Sequence, residues 1–335
     1  MKILMLLISL CSFAASGMDW KIQSLAADTS FRGSAVSDGI VWVTGSKSQV
    51  YISKDAGQSW QDVSVKGLPL IDLRDIEVFD ANTAIVMGAG AGGLSKLYIT
   101  YNQGLSWQLL FDNPDALGFF NSIAFWDRNN GLLLGDPVDG SFVILRTTDG
   151  GKTWRRIAQA ELPEMLDKEV AFAASGNTLV VGKRGRAWFT SGGFSSSVYS
   201  SADSGEHWRR RPVALYDDTQ TAGGYGLAFN TLGDLFVFGG DYQQRDKHDA
   251  NMVYLKGYVW HKPPGTTPGL RTAMACYQEI CIATGKLSTD ISHDHGYSWK
   301  PLLINGESQG FFTLAIEDNT LVAAGHNGRV AVYQF

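Results

Sequence analysis

The chain has 335 residues, 44% of them hydrophobic, with 38 Gly, 9 Pro and 10 Trp. That is long enough for a large core, and no low-complexity tract interrupts it. With 28 Lys and Arg against 33 Asp and Glu the formal charge is −5, which disfavours nucleic acid as a partner because its binders are usually basic.

At the N-terminus Lys2 precedes an apolar run from Ile3 to Ala15, and small residues follow in "AASG". About 13 apolar residues are too few for a membrane span, which needs about 20. The run therefore reads as a signal peptide over residues 1–17, cleaved near Gly17. A lipid anchor at Cys11 is the rival, but Leu10 before it is too large for the usual lipobox. The expectation is a periplasmic or secreted protein with no integral membrane segment, and loss of Lys2 takes the formal charge from −5 to −6.

Next along the chain, "GAGAGG" (residues 88–93) matches the glycine fingerprint of dinucleotide sites. The "LSKLYIT" that follows reads as a strand, so the βαβ context that chemistry needs is missing. A phosphate loop is suggested by Gly-Lys-Thr in "RTTDGGKTW". Arg146 stands where that loop needs its first glycine, and "WRRIAQ" reads as a strand where it needs a helix.

The same stretch belongs to a repeat. "SKDAGQSW" ends at Trp60, "TYNQGLSW" at Trp107, "TTDGGKTW" at Trp154, "SADSGEHW" at Trp208 and "SHDHGYSW" at Trp299. "VYLKGYVW", ending at Trp260, is a worn copy. The shared pattern is [ST]-x-[DN]-x-G-x-x-W, a hairpin turn by its chemistry. The hydroxyl and the carboxylate or amide of Asp55, Asn102, Asp149, Asp203 and Asp294 bond nearby backbone N–H groups. The Gly takes a backbone angle other residues resist, and the Trp carries a large apolar surface into the core. This pattern resembles the Asp-box (bacterial neuraminidase) repeat of β-propellers.

Counting by Trp, the box-type positions are 60, 107, 154, 208, 260 and 299, with Trp20 a seventh that lacks a box. The chain ends on "GRVAVYQF", which resembles the strand that precedes a box. It thus ends on a strand without its partner and begins on a partner without its strand, which closes a ring and removes exposed sheet edges. The expected fold is all-β: a seven-bladed propeller of four-stranded antiparallel blades, one domain over residues 18–335. Between the fifth and sixth of these repeats, Cys276 and Cys281 flank "YQEI" and would face each other across a two-residue turn, a disulfide if the protein is exported.

In a propeller the inner strands line the channel, and their starts share one face with the loops between the second and third strands. Aligning the inner strands by alternation puts one residue per blade at this rim: Arg32, Arg74, Asn121, Glu169, Tyr225, Arg271 and Phe312. Loops expected on the same face add Asp136 and Asp139 from "GDPVDG", Arg184 and Arg186 from "KRGRAW", and Asp241 and Tyr242 from "GGDYQQ". Arg271, Arg32 and Arg74 would form a basic arc opposite an acidic one, suited to an anionic group on a partner. The competing reading is that each Arg pairs with a neighbouring carboxylate and holds blades together.

The stretches "GFFNSIAFWD", "GDPVDGSFVILRTTDGGKTW", "AFAASGNTL", "FVFGGDY" and "GHNGRVAVY" resemble a bacterial family similar to the photosystem II stability/assembly factors. That resemblance covers nearly all of the mature chain. It implies an exported seven-bladed propeller that binds assembling membrane proteins and has no catalysis of its own. The partner it implies is a protein, such as a membrane-complex subunit, held by a monomer without cofactor. The enzyme alternative is a glycoside hydrolase on the same face. Sialidase-like chemistry could draw on Arg32, Arg74, Arg271, Tyr225, Glu169 and Asp136, and a paired-carboxylate enzyme on Asp136 and Asp241. For metal, "HDHG" (residues 293–296) has ligand types within a box turn, and "RDKHD" (residues 245–249) reads as a solvated loop, so no metal is expected.

Overall fold

The computed structural model describes residues 20–67 and 70–335; the proposed signal peptide lies outside them. Among the described residues twenty-nine strands fold into seven antiparallel sheets, which are the blades of a closed propeller. Blade 1 shows the plan. Its strands run Phe31–Ser37, Ile40–Gly45, Val50–Ser53 and Gln61–Asp62, from the channel outward. Blade 7 holds Thr313–Glu317, Thr320–Ala324 and Arg329–Gln334, and its fourth strand is Lys21–Ser24 from the other end of the chain. Lys21 pairs with Val332 and Ser24 with Arg329, which closes the ring as expected. Among the described residues no helix is long and apolar enough to cross a membrane.

The repeat turns close as their residue types dictate. In blade 1, Asp55 Oδ1 accepts from Ser59 N–H at 2.8 Å and from Ser53 Oγ at 2.8 Å, while Ser53 Oγ accepts from Gly57 N–H at 2.8 Å. Asn102, Asp149, Asp203 and Asp294 make the same pattern. The glycine has a second reason to be glycine. A Cβ at Gly205 in blade 4, where φ is +81°, would sit 2.7 Å from Leu132 of blade 3, so the turn packs flush on the preceding blade. The worn copy in blade 5 lacks the carboxylate and turns tightly between Lys256 and Val259. Cys276 and Cys281 lie opposite each other in the first hairpin of blade 6 and are bonded.

Blade 4 departs from the expected alignment. Its inner strand is Leu179–Gly182, not "EVAFA", and its second strand is Arg186–Ser191. "KRG" is therefore the turn between the first two strands. It lies on the face of the repeat turns, where Ser204 N–H donates to Gly185 O. Val170 bridges to Gly192 and Thr178 O accepts from Thr190 N–H, so both ends stay on blade 4, and residues 171–177 between them lie across the channel. Ala173 O accepts from Arg74 of blade 2 at 2.9 Å, and Gly176 O from Ser122 Oγ of blade 3 at 2.7 Å. Asn177 O accepts from Leu227 N–H of blade 5 at 2.8 Å, and Ser175 Oγ donates to Thr272 O at the start of blade 6 at 2.6 Å. Only a segment on the ring axis reaches inner strands from opposite sides, so this segment is a plug.

Candidate functional site

The plug divides the channel. Above it, on the face of the second-to-third strand loops, is a funnel of about 500 Å³, and below it a cavity of about 540 Å³. Residues 170–174 floor the funnel. Phe172 stacks on Tyr225 with ring centroids 4.2 Å apart, and the Tyr225 hydroxyl is used internally, donating to Thr221 O at 2.5 Å.

One wall is basic. Arg32, Arg74 and Arg245 line it. Arg74 is paired, with both Nε and Nη2 2.8 Å from Asp72 Oδ2. Arg32 makes no ion pair among the described residues; the nearest carboxylate charge is that of Asp72, which is paired with Arg74. The Arg32 guanidinium lies 4.4 Å from the centroid of the Phe312 ring and makes one long contact, 3.4 Å, to Ala174 O; its Nε is buried without a partner. Burial, followed by the charges of Arg74 and Arg245 and only partly opposed by Asp72, pushes its pKa down to about 10, so it stays cationic at neutral pH. Lys286 shifts down by burial and by the charges of Arg245 and Arg32. Like charges gathered in a partly buried concavity disfavour one another, and a bound anion would relieve both the repulsion and the cost of burial.

The rim residues separate into two groups. Arg32, Arg74, Asn121, Asp136, Tyr225, Tyr242 and Phe312 line the funnel together. Arg271 does not. It is 1% exposed and pairs with the equally buried Asp290, Nη2 to Oδ2 at 2.8 Å, with further bonds to Thr267 O and Ser288 Oγ. Alternation explains the error, since in blade 6 Leu270 and Thr272 face the channel and a one-residue shift turns a side chain to the other face. Glu169 is turned inward, where Tyr199 OH donates to it at 2.7 Å and Ser191 Oγ also bonds it. It therefore does not meet Tyr225, and the tyrosine–glutamate couple of the sialidase-like alternative is not formed. Asp241 is fully buried, accepting from Thr221 Oγ1 at 2.7 Å and Thr219 Oγ1 at 2.8 Å. Asp139 is exposed at a hairpin tip and lies outside the funnel lining. Arg184 and Arg186 belong to the opposite face with "KRG", and Arg186 lies over Trp188.

Sequence reasoning missed Arg245. It sits in "RDKHD", read as a solvated loop, yet this loop between the second and third strands of blade 5 carries it to the basic wall. Among the described residues no group of three or more His, Cys, Asp or Glu is placed to hold a metal ion.

Glu77 and Glu317 line the cavity below the plug, and Asp75 is buried against the plug at Gly176. Asp75 is 7% exposed and accepts from Ile123 N–H at 2.8 Å, Ser122 Oγ at 2.9 Å and Ile76 N–H at 2.8 Å. Burial outweighs these bonds and pushes its pKa up to about 7. Glu77 is raised well above its ordinary value by burial and by Asp75. A carboxyl whose folded pKa exceeds its unfolded one holds its proton more tightly when native. Its contribution is complete below about pH 4 and is lost as pH rises through 7. Asp75→Asn should therefore flatten the fall in unfolding free energy between pH 4 and 8, by up to about 4 kcal/mol for a three-unit shift. Denaturant titrations of both proteins across that range check it, and parallel curves would contradict it.

No protein-family model matches the chain, and no curated protein matches it in sequence. Solved structures do share its fold. YCF48 bound to D1 peptide superposes with a TM-score of 0.66 at 15% identity, covering 94% of this chain and 97% of that one. YCF48 from Cyanidioschyzon merolae gives 0.67 at 14% identity, over 94% and 98%. Virginiamycin B lyase from Staphylococcus aureus gives 0.68 at 15% identity, over 95% and 100%. At such identities the likeness is one of fold, a seven-bladed propeller.

Proposed function

We propose that this chain is an exported binding propeller, an assembly factor without catalysis of its own, that holds an anionic group of a protein partner in the plugged funnel. Arg32 is the observation that carries the reading. A guanidinium with no ion pair among the described residues, a partnerless buried Nε and two further arginines nearby is unfavourable alone and favourable with an anion bound. Because the plug closes the floor, a ligand enters and leaves by one mouth; a side chain, loop tip or chain end fits that geometry. The leader-like residues 1–17 support export, and a neighbour of the same fold is a peptide binder, YCF48 with D1 peptide. A membrane-complex subunit is the class of partner we favour.

A peptide array tests this. Arrays of acidic peptides, each beside its Asp→Asn, Glu→Gln counterpart, should retain the protein at 50 mM salt and release it at higher salt. Equal retention of the acidic and neutralised members would overturn the reading.

A further inference from the structure

On blade 3, next to the blade that carries Arg74, the funnel lining has the reverse character, and the protein does not satisfy it. Asn121 is 1% exposed and lines the funnel. Its Nδ2 donates to Asp136 Oδ1 at 2.9 Å, which leaves Oδ1 as the free end of the amide. That Oδ1 is buried and accepts no bond. Asp136 beside it is half-buried in the same wall. One of its oxygens takes the Asn121 amide and a long 3.4 Å contact from Ala171 N–H; the other has no donor among the described residues. Burial raises its pKa, opposed by the Asn121 and Ala171 bonds and by no cation among the described residues.

Two adjacent acceptors without donors, one of them a carboxylate, are the complement of a positively charged donor. We propose that Asn121 and Asp136 form a subsite for a protonated amine or guanidinium, so that the funnel takes a polypeptide segment carrying both signs of charge. This inference rests on the reading of the arginine wall as an anion site, since both charges are taken to belong to one ligand. The two walls then orient the ligand, its anion toward Arg32 and Arg245 and its cation toward Asp136. The aromatic surface of Phe172, Tyr225 and Phe312 suits the apolar stem between. Asp136 also sets specificity, because a ligand with acidic groups alone meets a like charge on this side.

Capped peptides test it, acetyl-Glu-(Ala)n-Lys-amide and the reverse order with n from 1 to 3, each beside a Lys→norleucine and a Glu→Gln analogue. Titration calorimetry of the full mature chain at pH 7.5 should show the best two-charge peptide binding at least about tenfold tighter than its norleucine analogue. In Asp136→Asn, whose amide oxygen can still accept from Asn121, that advantage should vanish while the norleucine analogue binds as tightly as before. Equal affinity of the lysine and norleucine peptides in the natural protein, or an advantage that survives in Asp136→Asn at unchanged thermal stability, overturns the subsite and leaves the anion site standing. Failure of every glutamate peptide to bind overturns both.

Discussion

Replacing Arg32 by methionine should weaken binding of an acidic peptide by about 30- to 1000-fold and, in the same protein, leave thermal stability unchanged or higher. The two halves have one cause. Arg32 makes no ion pair among the described residues, and its guanidinium is disfavoured by burial and by Arg74 and Arg245. Removing a charge in that position relieves the native state, while methionine keeps the apolar stem against Phe312. For the ligand the change removes one partner of a partly buried charge-assisted hydrogen bond, a loss of about 2–4 kcal/mol, and every 1.4 kcal/mol is tenfold in affinity. An arginine in a structural ion pair would behave in the opposite way. Arg271 is such a residue, paired within blade 6, because its loss strands Asp290 in the core; a buried pair broken from one side costs about 3–5 kcal/mol. Calorimetric titration and thermal unfolding of Arg32→Met measure both halves, and a drop in stability with unchanged affinity would return Arg32 to a structural role.

The second large effect is on the plug. Gly176 has φ +74°, and a Cβ there would stand 2.2 Å from Asp75 Oδ1 and 2.6 Å from its Cγ. Asp75 cannot swing aside cheaply, being buried and held by three hydrogen bonds. Gly176→Ala should therefore cost at least about 3 kcal/mol, which combines about 1–2 kcal/mol of left-handed backbone strain with weakened bonds to a buried carboxyl. Gly233 supplies the control, since it has φ +87° and nothing within 4 Å of its Cβ position, so Gly233→Ala carries the backbone part alone. The excess of the first over the second isolates the plug contact. Because Arg74 and Arg32 rest on Ala173 O and Ala174 O, the same substitution should also weaken acidic peptides. Denaturant unfolding of the two alanine variants gives the comparison, and equal costs would mean that the plug yields freely.

How much of this was legible in the sequence follows from the physics of each part. The turns were legible because their residue types do local work; a Ser, an Asp and a Gly at fixed spacing close a hairpin in any blade. Ring closure was legible because a lone terminal strand and a lone terminal partner have only each other. The rim was harder. Alternation assigns a face only when the register is known, and a one-residue slip at Arg271 put a core ion pair at the channel mouth. The plug was hidden because "VAFAASG" carries a strand-like apolar pattern yet folds against residues of blades 1, 2, 3, 5 and 6. A signal was present in the spacing. Trp154 to Trp208 and Trp208 to Trp260 are the two longest repeats, 54 and 52 residues. The surplus in the first holds the plug, and that in the second holds the loop that delivers Arg245.

The most direct measurement is one titration run twice, with the array's tightest acidic peptide added to the natural mature chain and to an Arg32→Met/Arg74→Met/Arg245→Met variant, each with its thermal unfolding recorded. An anion site in the funnel predicts saturable binding to the first, none detectable to the second, and unfolding temperatures within a few degrees of each other. Binding to the variant within threefold of the natural chain would contradict it and move the partner surface off the funnel.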